Sequence, residues 1–535
     1  MLRTLLAAAV LTHAALVLEG QSCVYATDFD GALAAPTPVS LDKLGSSVAI
    51  DGEVAVVGAS CGDAAYLYEQ VPGGGWTSGS PLVPVTPLSS PARFGEAVAI
   101  DGDLIAVGAP DDRTSGPLPS GSVYLFERDP NVSGGWRELT RLFPDDASNG
   151  DEFGASVSLS GDTLVVGAPK KLVSIHRTGA VYVFERDAGG PNAWGQTRRL
   201  RANSPIANSF FGNAVAVEGD RLVIGSEGDE SFFVFERSTI DPEDWIQRNR
   251  FTLTLAGSLG DSVALSGDTI AVGDSSGGPA ADGYVLVYER RPGPFSQWNV
   301  AARLSTVPVQ PNAGFGTSVA IDGDVILVGA TRLDNFVGGA FLYERNEGGT
   351  EAWGEIARFD GQDPGTNDGM GAAVALDEDR LIVGIPRDDP LGALDSGSAE
   401  TYSFEFLGPR SVVQDRNAGA NPVSYTASTA VLGGALRGTC DLTTTGHDLA
   451  VFFAFDAPAN VVLAGGQVLL CVEQARDGEL FTGRGITLAG PMPSFSFPIP
   501  NDNSVCGTRL CTQVLHVAGT FPFALSNAQD VTVGL

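Results

Sequence analysis

The chain has 535 residues, 43% hydrophobic and 18% charged, which is enough to bury a core and too apolar for a mainly disordered protein. Its 32 Lys and Arg against 64 Asp and Glu give a net charge of −32, so phosphate backbones and anionic membrane surfaces are repelled and nucleic acid is excluded as a partner. Only Lys43, Lys170 and Lys171 are lysines, so positive charge is presented almost wholly as the planar guanidinium of Arg.

Residues 1–22 read as an export signal. Arg3 precedes an apolar run from Leu5 to Leu18, followed by Gly20, Gln21 and Ser22. The run falls short of the roughly 20 apolar residues a span needs, which makes a membrane anchor the weaker reading, and no later segment is long enough. Lipidation at Cys23 is the second alternative, but Gly20-Gln21-Ser22 lacks the large aliphatic residue such a site carries. The expectation is a secreted or cell-surface monomer with no transmembrane span once the signal is removed. Cys23, Cys61, Cys440, Cys471, Cys506 and Cys511 form an even set that fits an oxidising compartment and permits fifteen pairings. Proximity favours Cys506 with Cys511. No CxxC occurs and only His176, His447 and His516 follow the signal, so a zinc site is not expected.

Repeats organise residues 24–406. An apolar residue precedes Gly at Leu44-Gly45, Phe94-Gly95, Phe153-Gly154, Phe211-Gly212, Leu259-Gly260, Phe315-Gly316 and Met370-Gly371. Thirteen residues after each of these glycines stands another, Gly58, Gly108, Gly167, Gly225, Gly273, Gly329 and Gly384, always behind Val or Ile. The intervening sequence predicts a strand, a tight turn and a second strand. Asp101-Gly102, Ser160-Gly161, Glu218-Gly219, Ser266-Gly267 and Asp322-Gly323 supply the positive φ such a turn requires.

A third strand is predicted to end at an aromatic residue and Glu, as in Tyr68-Glu69, Phe126-Glu127 and Phe184-Glu185, and a fourth to begin with Trp. Trp76, Trp136, Trp194, Trp245, Trp298 and Trp353 serve the first six repeats; the seventh has none. The segment Val24 to Leu33 is therefore expected to supply the outer strand of the seventh sheet and close the ring, with a Cys23–Cys61 bridge locking that closure. The alternative is six complete blades with loose termini.

Phe94-Gly95-Glu96-Ala97-Val98-Ala99 through Val107-Gly108-Ala109-Pro110, with Phe153-Gly154 through Val166-Gly167-Ala168-Pro169, resembles the FG-GAP repeat of the propeller at the head of integrin α subunits. The resemblance covers about 380 residues. It implies a seven-bladed β-propeller of the kind found in exported proteins, extracellular and used to bind other macromolecules. Integrin-type repeats often hold calcium in an Asp-rich loop between the first two strands. Here those loops are short turns such as Asp101-Gly102-Asp103, with too few carboxylates for the six to eight oxygens calcium takes, so the family's calcium sites do not carry over.

Loop lengths place the variable face. From the second glycine to the third-strand Glu the spacing is 11, 19, 18, 11, 16, 15 and 21 residues, whereas from that Glu to Trp it is 7 once and 9 five times. The irregular loops join strands two and three and open on one face of a propeller, where loops on a rigid scaffold can bind. Candidate binding residues there are Asp63, Asp111, Asp112 and Arg113, then Lys170, Lys171 and His176, then Arg332 and Asp334, and last Asp388 and Asp389. Asp63, Asp111, Asp112, Asp388 and Asp389 are the candidates for holding Ca2+ or a basic ligand. Gly273-Asp274-Ser275-Ser276-Gly277 fits G-x-S-x-G, but it is blade five's entry into this loop and has neither a base nor a strand-to-helix turn.

After Phe406 the repeats stop. Runs such as Val451 to Phe455, Gln467 to Val472 and Thr512 to Val517 predict strands of a β-sandwich over 408–535 that carries two of the disulfides. This tail is similar to carboxy-terminal domains of exported bacterial proteins. The sequence thus reads as an all-β chain, a propeller over 23–407 followed by a β-sandwich. It is expected to be a non-enzymatic protein that binds an extracellular protein or polysaccharide. The competing readings are an extracellular carboxylate-dependent hydrolase or lyase on a propeller, and a structural envelope component.

Overall fold

The computed structural model describes residues 25–406, apart from short stretches at 73, 86, 89–90, 114–118, 133–134, 174–175, 254–256, 292–296 and 346–351, together with the backbone of strands between 412 and 534. Residues 1–22, expected to be an export signal, and Cys23 lie outside the described residues. Seven four-stranded antiparallel sheets follow one another along the chain. The innermost strands, Leu44–Asp51, Val98–Asp101, Ser156–Ser160, Val215–Glu218, Val263–Ser266, Phe315–Asp322 and Val374–Asp377, each pack against the next, and the last packs against the first. The repeats therefore form a closed seven-bladed β-propeller.

In the seventh sheet the order is Tyr25–Leu33, Ser398–Phe406, Arg380–Ile385, Val374–Asp377, so a strand from the start of the chain forms the outer edge of the last blade. Thr401 Oγ1 donates to the Gly31 carbonyl at 3.0 Å and Ser403 Oγ to Asp30 Oδ1 at 2.9 Å across that junction. Leu33 and Ala35 then pack with Val48, Ala55 and Ile382, which joins blade seven to blade one. Cys61 is exposed beside blade one, and the expected Cys23–Cys61 bridge involves Cys23 and so lies outside the described residues.

The second strand of each blade is an unbroken run such as Val54–Ala59 or Leu104–Ala109, buried along its whole length in blades one, two, three and five and beyond its first residue in blades four, six and seven. It has a partner strand on each side and a neighbouring sheet over each face, so no position is left for alternation with solvent. The core lies between blades rather than within one: Val54, Val56 and Leu67 of blade one pack with Phe94, Ile105 and Phe126 of blade two.

The two glycines of each repeat meet across blade boundaries. A Cβ on Gly58, Gly108, Gly167, Gly225, Gly273, Gly329 or Gly384 would lie 2.0–2.2 Å from the carbonyl oxygen of Gly95, Gly154, Gly212, Gly260, Gly316, Gly371 or Gly45 of the following blade. Those following glycines all adopt φ between +85° and +94°. Where Phe precedes that glycine, at 94, 153, 211 and 315, its ring packs edge-on against an aromatic residue of its own third strand, as Phe94 does on Tyr124 with ring centroids 5.4 Å apart.

The predicted fourth strand differs in blade one. It is only Ser80–Pro81, and Trp76 meets Gln70 through an isolated bridge before it. Proline offers no N–H to lengthen the ladder. After Phe406, Val412–Arg416, Phe523–Gly534, Arg509–Val517 and Leu449–Phe455 form one sheet, with Ala430–Val431 pairing parallel to Phe523–Gly534. Tyr425–Ala427, Ala435–Cys440 and Ser494–Pro498 form a second sheet, and Ala457–Val462 with Val468–Val472 a third. The side chains of Cys440, Cys471, Cys506 and Cys511 lie outside the described residues. Among the described residues no helix is long and apolar enough to cross a membrane.

Candidate functional site

The two faces of the propeller differ. On the face of the short hairpin turns, a side chain ending each inner strand accepts from the turn of a neighbouring blade. Gly102 N donates to Asp51 at 2.5 Å, Gly161 N to Asp101 at 2.5 Å, Gly219 N to Ser160 at 3.1 Å and Gly267 N to Glu218 at 2.6 Å. Gly323 N donates to Ser266 at 3.1 Å, Glu378 N to Asp322 at 2.8 Å and Gly52 N to Asp377 at 2.6 Å, which completes the circle. This face is regular and its polar groups are engaged with one another.

The opposite face carries the irregular loops and holds a cavity of about 330 Å³. It is lined by Ser275 of blade five, Thr317, Thr331, Arg332 and Phe336 of blade six, and Gly369, Ala372, Pro386 and Arg387 of blade seven. Ser275, Arg332 and Arg387 each follow a second strand, while Thr317 and Ala372 lie at the start of the inner strands, so the cavity opens where three blades converge.

Arg332 is fixed by a 2.8 Å hydrogen bond from its Nη2 to the Ser275 carbonyl, and among the described residues its buried Nε has no partner. Gly314, at φ +68°, makes room for the guanidinium: a Cβ there would sit 2.9 Å from Nε. Arg387 is exposed and has no ion pair among the described residues. Thr317 Oγ1 donates to the Gly314 carbonyl at 2.7 Å and lies 3.2 Å from Thr331 Oγ1.

Between Arg332 and the third strand of blade six runs a tight turn, Leu333–Phe336, in which Asp334, Asn335 and Phe336 have φ of 47°, 63° and 68°. Three successive left-handed residues, none of them glycine, cost roughly 1–2 kcal/mol each, and such strain concentrates at ligand sites. The turn is held by buried Leu333, by Arg358 donating to Asp334 Oδ2 at 2.7 Å and by Gly369 N donating to the Phe336 carbonyl at 2.9 Å. It leaves the Phe336 side chain 46% exposed at the cavity.

Behind Ser275 lies an acid pair. Ser275 Oγ donates to Asp261, whose carboxyl is pushed up to about 7, first by burial and then by its hydrogen bond and charge contact with Glu227, against the lowering effect of Ser275. The G-x-S-x-G serine therefore faces a carboxyl pair.

Of the residues predicted from sequence, Arg332 alone lines this cavity. Asp112 is buried in blade two, where Ser122 and Tyr124 donate to it and Arg141 Nη2 pairs with it at 2.7 Å. Asp63 accepts from the backbone of Ala92 at 2.9 Å and Phe94 at 3.3 Å, setting the entry to blade two. Asp111 pairs with Arg93 at 2.7 Å, Arg93 with Glu152 at 3.3 Å, and Lys170 with Glu152 at 2.8 Å, so two predicted residues join through two that the sequence did not single out. Lys171 is buried against Asp151 at 2.8 Å and Asp146 at 3.4 Å. His176 and Arg113 are exposed, His176 on the short hairpin Leu172–Val173 with His176–Arg177. Asp388 accepts from Ser398 Oγ at 2.5 Å and lines a narrow acidic crevice with Asp363, Asp368 and Glu400, and Asp389 accepts from Asp395 N at 2.6 Å. Burial first, then the charges of Asp388, Asp389 and Asp363, raise the Asp368 carboxyl above the ordinary carboxylate range. Among the described residues no group of three or more His, Cys, Asp or Glu is arranged to hold a metal ion.

Arg387 was missed, although a signal existed: three residues beyond the second glycine, blades six and seven alone both carry Arg.

A closed ring of seven four-stranded sheets on paired glycines, with one uniform face and one irregular, is the architecture of a seven-bladed β-propeller. Segments 88–126, 136–184, 194–234, 298–343 and 353–402 match the FG-GAP repeat, and the chain is an FG-GAP repeat propeller. Blades one and five, which fall outside those segments, have Leu in place of Phe before the first glycine yet keep its conformation, φ +89° at Gly45 and +94° at Gly260. No curated protein matches the chain.

Proposed function

We propose that this is a secreted or cell-surface binding protein that recognises an extracellular protein or glycan with the irregular-loop face of its propeller. The observation that carries the reading is the cavity between blades five, six and seven, where a strained turn presents Phe336 beside Arg332 and Arg387. The export signal of residues 1–22 and the extracellular use of FG-GAP propellers support the location. Residues 408–535 are proposed to form a β-sandwich module.

A carboxylate-dependent hydrolase is supported less well. Asp261, the carboxyl behind Ser275, is raised by burial and by Glu227 beside it, whereas glycosidase carboxyls flank a substrate about 5–9.5 Å apart.

The test is to probe arrays of extracellular proteins and polysaccharides with the labelled full chain and with the variant T331A/F336A/R387A. Binding that is lost in this variant and kept in D101A, on the opposite face, supports the reading. Absence of binding, or binding indifferent to the triple change, overturns it.

A further inference from the structure

The geometry points to this cavity as the site for a carboxylated sugar, a single uronate-type residue whose carboxylate is held by Arg332 and Arg387. The inference rests on the binding role proposed above and assigns its ligand class.

The arginines give the charge. In a chain with 64 acids to 32 bases, arginine tends to find a carboxylate, as Arg93, Arg141 and Arg237 do. Arg332 and Arg387 both line the cavity and have no ion pair among the described residues. Guanidinium matches a carboxylate through two parallel N–H···O bonds.

The remaining lining favours a sugar over other carriers of a carboxylate. Ser275, Thr317 and Thr331 offer hydroxyl and backbone groups to a polyhydroxylated ligand, and Phe336 offers an exposed ring against which the C–H face of a pyranose packs. The volume of about 330 Å³ is at the small end of ligand pockets, roughly 300–1,000 Å³. Net charge argues for a single acidic residue. A long polyanion would meet the repulsion of a −32 surface along its whole length, whereas a single acidic residue brings one charge to it. An acidic peptide segment would bring the same carboxylate without a use for the hydroxyls and the ring.

The experiment is titration calorimetry of the full chain with D-glucuronate, D-glucose and a glutamate-containing tripeptide. Expected is saturable glucuronate binding at one site, with glucose weaker by about tenfold or more. Arg387→Ala should weaken glucuronate by at least about tenfold, and Arg387→Lys should restore part of it, because an ammonium supplies charge without the fork. The exposed Arg387 makes no ion pair, so its variants should unfold as the parent does, and Phe336→Ala provides a second, uncharged probe of the cavity. Equal binding of glucuronate and glucose, or indifference to Arg387→Ala, overturns the inference. Tripeptide binding tighter than glucuronate also overturns it, and gives the site to acidic protein segments. An array ligand that depends on the loop face, found together with any of these results, leaves the binding role standing and removes only the sugar assignment.

Discussion

Asp377 accepts a hydrogen bond from the backbone N–H of Gly52 at 2.6 Å, joining residues 325 positions apart in the chain. It is the last of seven equivalent contacts, and the only one of them that links the end of the repeats to their beginning. Arg380 reinforces it, donating to the Gly52 carbonyl at 2.9 Å. Asp377→Ala should therefore lower stability by about 1–2 kcal/mol, a charge-assisted hydrogen bond at a half-exposed site. Asp101→Ala removes the matching bond to Gly161 between blades two and three, where the chain is already continuous. Urea unfolding should show a larger loss for Asp377→Ala than for Asp101→Ala; equal losses would mean that closure adds nothing.

The glycine pairs predict a sharp contrast between two similar substitutions. A Cβ at Gly108 would stand 2.0 Å from the Gly154 carbonyl oxygen, and its three nearest neighbours are all Gly154 backbone, which cannot rotate away as a side chain would. Gly108→Ala should cost about 4 kcal/mol or more, or abolish soluble expression. Gly102 has no atom within 4 Å of such a Cβ and carries only the cost of φ +56°, so Gly102→Ala should lose about 1 kcal/mol. Denaturant midpoints of the two proteins test this.

The Asp261 carboxyl sets a pH dependence. Burial and Glu227 raise it to about 7, above its unfolded value, so the native state holds a proton that the unfolded chain releases. Stability should accordingly fall as pH rises from about 4 through 7 and level off above, once the proton has been lost from both states. Asp261→Asn keeps the shape without the ionisation. Its melting temperature, measured from pH 5 to 8, should fall less than that of the parent, and parallel curves would sink the assignment.

The strained turn should exchange stability for recognition. Phe336→Gly relieves a left-handed residue worth roughly 1 kcal/mol and removes a half-exposed ring. Its melting temperature should not fall, while its affinity for the loop-face ligand should. A destabilised variant with unchanged binding would mean that the ring serves packing alone.

Calcium is expected to leave the propeller unmoved. Asp63, Asp111, Asp112 and Asp388 already accept from Ala92, Arg93, Tyr124 and Ser398 within the fold, so few free oxygens remain for a hard cation. Thermal unfolding in excess EDTA and then in calcium should coincide. A calcium-dependent upward shift would show linkage to a bound ion.

Periodicity alone made much of the propeller legible. Glycines at a fixed spacing of 13, a turn between them and an aromatic-Glu ending specify a repeating antiparallel sheet, because each signal is local: a positive φ, an alternation, a buried strand. The spread of loop lengths likewise marked the irregular face. The candidate residues on it were less legible. Asp63 and Asp112 read as candidates to hold Ca2+ or a basic ligand, yet one accepts from the backbone of the next blade and the other is fully buried among Ser122, Tyr124 and Arg141. Asp and Arg have the same identity whether solvated or paired, and the partner lies outside the local pattern.

What the sequence by itself determined is the repeating unit, with its turns, its close-packed glycines and its surplus of negative charge, since these depend on residues within about one repeat of each other. The tertiary structure decided which charges are neutralised inside the fold and which are left to face a ligand. The cavity takes Ser275, Arg332 and Arg387 from three blades. Residues 112 positions apart become neighbours there only because the sheets close into a ring, and no pattern along the chain encodes that proximity.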